Sequence, residues 1–87
     1  MNVQNMRNSK GNAIPNQFII KNEGTVYFQS YESVIAKKVD TQIYLDSNYW
    51  DYSTTTGRYR NIFLGESKKE TEKKIKSGEY KLVNLNK

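Results

Sequence analysis

Apolar and polar residues alternate in short runs from Asn16 onward, and this two-residue period predicts strands over the first part of the chain. Two β-rich runs flank Asn22-Glu23-Gly24, where Gly24 supplies the positive φ of a short hairpin loop. Phe18 and Ile20 then share one face, as do Val26 and Phe28 on the returning strand, and these four are expected to form the first core layer. The run Tyr31–Lys38 either continues that strand through a bend or makes a third; Val34 and Ala36 alternate there with Glu32, Ile35 and Lys37, the pattern of a half-buried strand. Asp40-Thr41 marks a second turn, and Gln42–Asp46 reads as another strand.

The period changes after Asp51. Ser53 is an N-cap type, and Tyr59, Ile62 and Phe63 fall at i, i+3, i+4 on one helical face. Gly57 and the β-branched Thr54, Thr55 and Thr56 make this helix weak by propensity, so packing must hold it, and Gly65 can stop it. Ser67-Lys-Lys-Glu70 is a capping-box pattern that opens a second helix running to Ser77, with Gly78 at its end. Only Ile75 and, weakly, Thr71 offer that helix a contact with the body. Tyr80–Leu85 reads as a last strand. The expected fold is α+β, an antiparallel β-meander of three to four strands followed by two short helices and a C-terminal strand, in the order β-β-β-(β)-α-α-β. Residues 1–15 lack periodicity and are Asn-rich. They are expected to be a flexible arm, leaving residues 16–87 as one domain.

Composition narrows the chemistry. The 87 residues suffice for a single core, and 13% aromatic content raises the buried area that each core side chain contributes. Cysteine and histidine are both absent, which excludes disulfides, thiolate metal sites and any Ser/His or Cys/His nucleophile. No metal and no cofactor is expected, and neither is an enzyme. No apolar run approaches the ~20 residues of a membrane span, and the N-terminus lacks a signal h-region, so a cytosolic protein is expected.

Net charge is +5. Residues 18–65 balance five basic against five acidic side chains, whereas residues 66–87 carry seven Lys against four Glu. A basic end on a neutral body suits an acidic partner, although Lys/Glu helices are commonly just solvated surface.

The segment Asp46–Arg60 concentrates the remaining candidates. It carries the only Trp, four aromatics (Tyr49, Trp50, Tyr52, Tyr59) and both Arg of the folded region. Trp, Tyr and Arg are the types enriched at interface hot spots, so Tyr49, Trp50, Tyr52, Arg58, Tyr59 and Arg60 are candidates for binding a protein partner. The second reading is nucleic acid, held by Arg58, Arg60 and the helix lysines Lys68, Lys69, Lys73, Lys74 and Lys76, with amides near Thr54–Thr56 available to a phosphate. A third reading, a carboxylate active site on Asp46 and Asp51, has no supporting motif. Packing competes with all three, because Trp50, Tyr52, Tyr59 and Phe63 can build the sheet-to-helix core with Ser53 as cap. Arg58 and Arg60 lie about 160° apart around their helix, so one contact cannot bury both.

The string Tyr49-Trp50-Asp51-Tyr52-Ser53-x-Thr55-Thr56-x-x-Tyr59-Arg60-x-x-Phe63-Leu64-Gly65-Glu66 stands between Phe28-Gln29-Ser30-Tyr31 and Glu70-Thr71-x-Lys73-Lys74-Ile75. Together they resemble a family of small uncharacterised proteins of bacteriophages and related mobile elements. The resemblance carries no catalytic residue. It implies a host cytoplasm as setting and a host macromolecule as partner, such as a nuclease or defence effector. At +5 the chain does not act as an acidic nucleic-acid mimic, so inhibition of such a host system implies contact with a protein surface or competition for nucleic acid.

Overall fold

The structure, a computed structural model, describes residues 1–86. Six strands form one sheet in sequential order: β1 (Asn2–Arg7), β2 (Ala13–Asn22), β3 (Thr25–Ser30), β4 (Ser33–Val39), β5 (Gln42–Asp46) and β6 (Tyr80–Val83). Helices α1 (Thr54–Leu64) and α2 (Lys68–Ser77) connect β5 to β6. Neighbouring strands are antiparallel except β5 and β6, which run parallel, as a crossover through two helices allows. The α+β class agrees with the sequence, but the meander of three to four strands is corrected to a six-stranded mixed sheet.

Two sequence features hid the extra strands. Residues 2–7, expected within a flexible arm, form edge strand β1, which is polar throughout except Val3 and Met6 and so shows no hydrophobic alternation. The register shifts between Asn5 and Arg7, where β2 holds the extra residues: Ile14–Gln17 stand opposite Met6 alone, and Met6 is buried in the core. The chain also turns sharply at Tyr31-Glu32, so that β3 and β4 are separate strands with Ser30 opposite Ser33. Tyr31 adopts the left-handed φ of 57° there, without a glycine to announce it. At the turn the sequence did announce, Glu23 and Gly24 both take positive φ (51° and 82°), the geometry of a two-residue hairpin loop.

Register sets the faces. Phe28 pairs with Ile19 on one side and Ala36 on the other, and Ala36 pairs with Leu45. This row carries the helices: Phe63 of α1 stacks on Phe28 at 5.7 Å, and Ile75 of α2 packs against the same core. Phe18 and Ile20, expected in that layer, lie on the opposite face, and Ile19 takes the core position instead. Ile35 occupies a bulge in β4, so both it and Ala36 are buried and the simple alternation fails. Of the three helical residues expected together, Tyr59 and Phe63 reach the core while Ile62 is 59% exposed. Both helices therefore cover one face of the sheet, and the other face is bare.

Candidate functional site

The loop between β5 and α1 is shaped by one carboxylate. Asp46 is fully buried at the end of β5; its Oδ2 accepts the backbone N–H groups of Asn48 (3.0 Å) and Tyr49 (2.9 Å), and its Oδ1 that of Leu85 (2.7 Å). Burial alone would push its pKa up, but these donors outweigh burial and hold it below the ordinary value. With both oxygens engaged, Asp46 is a loop organiser. Ser53 then caps α1, accepting the N–H of Thr56 at 3.1 Å.

Arg60 points back from α1 into this loop. It is 1% exposed, donates to the Trp50 carbonyl (2.8 Å) and to Asn61 Oδ1 (2.9 Å), and lies 3.3 Å from Asp51. Its guanidinium sits 5.1 Å from the centre of the Trp50 ring, a cation–π contact in a largely dry setting. Asp51 also receives Lys68 at 2.7 Å. Its carboxyl is raised by burial and lowered further by Lys68 and Arg60, so the net direction is down. Trp50, Asp51, Arg60 and Lys68 thus form one unit that ties the loop, α1 and α2 together.

A groove of about 620 Å³ opens beside this unit, with Arg58, Thr54 and Lys68 on its walls. On the other side of the loop a second cleft of about 400 Å³ lies against the β3–β4 turn. Tyr31, Tyr49 and Tyr52 line it, Ile35 contributes an apolar patch, and the hydroxyls of Ser30 and Thr56 bond each other at 3.0 Å. Tyr31 is 54% and Tyr52 66% exposed, and the Tyr52 ring leans on Tyr49 at 5.4 Å.

The six aromatic and arginine candidates thus divide. Tyr52 and Arg58 are exposed, Tyr49, Trp50 and Tyr59 are half-buried against the core, and Arg60 is enclosed. Tyr49 and Tyr52 come together in the smaller cleft, whereas Arg58 faces the larger groove. Tyr31 stands outside the binding candidates read from the sequence; its positive φ, visible only in the structure, sets it at the cleft. Among the helix lysines, Lys68 is bound to Asp51, and Lys74 donates to Glu66 Oε1 at 2.6 Å, which raises its pKa. Lys69, Lys73 and Lys76 remain exposed along one outer stripe of α2. Among the described residues no group of three or more Asp and Glu side chains is placed to hold a metal ion. Among the described residues no helix is long and apolar enough to cross a membrane.

The chain belongs to DUF8033, a family of unknown function, whose model matches residues 1–79. No curated protein and no solved structure matches it.

Proposed function

We propose that this member of the family is a non-enzymatic binding protein that engages a protein partner through the tyrosine-lined cleft between the β3–β4 turn and the β5–α1 loop. The observation that carries this reading is Tyr31. A bulky residue in the left-handed region costs about 1–2 kcal/mol, and at a hairpin tip glycine or asparagine would relieve it. Keeping a tyrosine there, half-exposed beside the exposed Tyr52, favours contact over stability. Tyrosine offers large rigid contact area with a polar tip, which suits recognition of a protein surface. The resemblance to phage-encoded proteins makes a host protein, such as a defence effector, the first partner to seek.

Nucleic acid held by the original cationic set is less well supported. Arg60, Lys68 and Lys74 are engaged within the chain, which leaves Arg58 on one helix and three lysines on another. The test is a pull-down from nuclease-treated bacterial lysate with the tagged protein and its Tyr31→Ala/Tyr52→Ala variant. The expected result is a defined protein retained by the parent and lost by the variant. Equal capture by both, or no protein surviving the nuclease, would overturn the reading.

A further inference from the structure

The bare face of the sheet has a composition of its own. Register places Val3, Ile20, Tyr27, Lys37, Tyr44 and Lys81 in one row across all six strands. Phe18 lies in the adjacent row, diagonal to Tyr27. None of these side chains belongs to the core cluster under the helices. Lys37 lies 5.5 Å from the centre of the Tyr44 ring, and neither Lys37 nor Lys81 makes an ion pair among the described residues. The strands carry a single carboxylate, Asp46, which is buried on loop amides. The face is therefore aromatic and cationic with no exposed strand anion.

We propose that this face binds single-stranded nucleic acid, independently of the tyrosine cleft on the other side of the molecule. Charge decides the occupant. A second copy docked face to face would bring Lys37 and Lys81 of both chains together with no strand carboxylate to pair them, and unpaired buried charge is strongly unfavourable. A polyanion meets those lysines directly. Tyr27 and Tyr44 stand two strand spacings apart, about 10 Å, with Lys37 between them. Successive bases can thus stack on the rings while a phosphate lies over the lysine, the arrangement that single-strand binding requires and a closed duplex denies. The amide donors of Asn5 and Gln42, on the same face, are committed to backbone carbonyls, so base-edge readout is weak and binding tolerates sequence.

The test is fluorescence anisotropy with a labelled oligothymidylate of about 15 nucleotides and, separately, a duplex of the same length, from 50 to 200 mM salt. Single-strand binding is expected, with the duplex clearly weaker. Tyr44→Ala should weaken the single strand by about ten-fold or more. Because Tyr44 is half-buried, the lysine pair gives a reading that does not depend on packing: Lys37→Gln/Lys81→Gln should flatten the log–log salt slope by about 1.4. Lys69→Gln/Lys73→Gln/Lys76→Gln on the helix side, and Tyr31→Ala/Tyr52→Ala in the cleft, should leave that slope unchanged. No oligonucleotide binding at 50 mM salt, equal affinity for duplex, or a slope indifferent to Lys37 and Lys81 overturns the proposal. So does a stable dimer in sedimentation that Lys37→Gln/Lys81→Gln strengthens.

Discussion

Arg60 shows how a residue type that suggests recognition can be claimed by the fold. A guanidinium can be enclosed only where its donors are met, and here a carbonyl, an amide oxygen and a carboxylate meet them while Trp50 covers its face. Its Nε finds no acceptor among the described residues, so even this well-served group is incompletely satisfied. Arg60→Ala removes the shared centre of the loop and leaves the Trp50 carbonyl without its donor. Asp51 keeps Lys68, which places the expected loss near the low end for a broken buried pair, about 3 kcal/mol. Arg60→Lys keeps the charge and gives up the planar fork, losing one or two hydrogen bonds at about 1 kcal/mol each. In a domain of this size each kcal/mol moves the melting midpoint by roughly 4–8 °C. Thermal melts should therefore rank parent above Arg60→Lys above Arg60→Ala. Equal midpoints for parent and Arg60→Ala would show the residue to be free, and would return it to the surface candidates.

At the scale of elements, α1 is held by its ends and its packing rather than by propensity. Ser53 caps one end, Gly65 in the left-handed region closes the other, and Tyr59 and Phe63 pack inward. Gly57 is the weak point of the interior. Its backbone does not use a positive φ, and the nearest atoms a Cβ added there would meet are those of the Arg60 guanidinium, at 3.6 Å, an ordinary contact. Gly57→Ala should therefore stabilise the protein by about 0.5–1 kcal/mol through reduced freedom of the unfolded chain. A rise of a few degrees in the melting midpoint is the expected reading; a fall would mean that the guanidinium cannot yield even that much. Both helices were legible in the sequence because their signals are local: Ser53, the Ser67/Glu70 box and Gly78, which takes φ 86° where a Cβ would be strained. The box is complete, with Ser67 and Glu70 each accepting the other's backbone N–H. The hairpin at Glu23-Gly24 was legible for the same reason. What the sequence hid was relational. Strand β1 is held by pairing with β2 rather than by an apolar stripe, and the face of Phe18 was decided by which residue of β2 lies opposite Phe28. The candidate site was legible as a region, Tyr49 to Arg60, because its aromatics crowd there. Its division into packed and exposed members depends on Asp46 and on a strained turn twenty residues earlier, neither of which has a signature in the local pattern.

The whole molecule is closed at its C-terminal end by two carboxylates. Residues 80–86 lie beyond the family match, yet β6 pairs with β5, and Asn86 exchanges hydrogen bonds with the backbone of Val34 in β4. Asp46 Oδ1 accepts the Leu85 N–H, and Glu66 Oε1 accepts the Tyr80 hydroxyl at 2.9 Å along with Lys74. Burial pushes the Glu66 carboxyl up, but Lys74, Thr71 and Tyr80 together bring it below its ordinary 4.5, as the amides bring Asp46 below 3.8. Folded values below unfolded ones mean that each carboxylate adds stability fully above its ordinary value. That contribution is lost as pH falls from there through the folded value. The urea midpoint should therefore hold steady above pH 5 and decline as the solution is taken to pH 3 and below. Glu66→Gln should cost about 1–3 kcal/mol of stability at pH 7 and lower the midpoint accordingly, since Lys74 and Tyr80 lose their anionic acceptor. The same variant should show a shallower acid decline, because one of the titrating groups is gone. Amide exchange localises the effect: acidification should expose the β6 amides before those of β3 and β4, because both carboxylates clamp the segment that includes β6. If protection is lost together across the sheet, the C-terminal strand is part of the central cooperative unit and the two carboxylates stabilise the whole rather than a clasp.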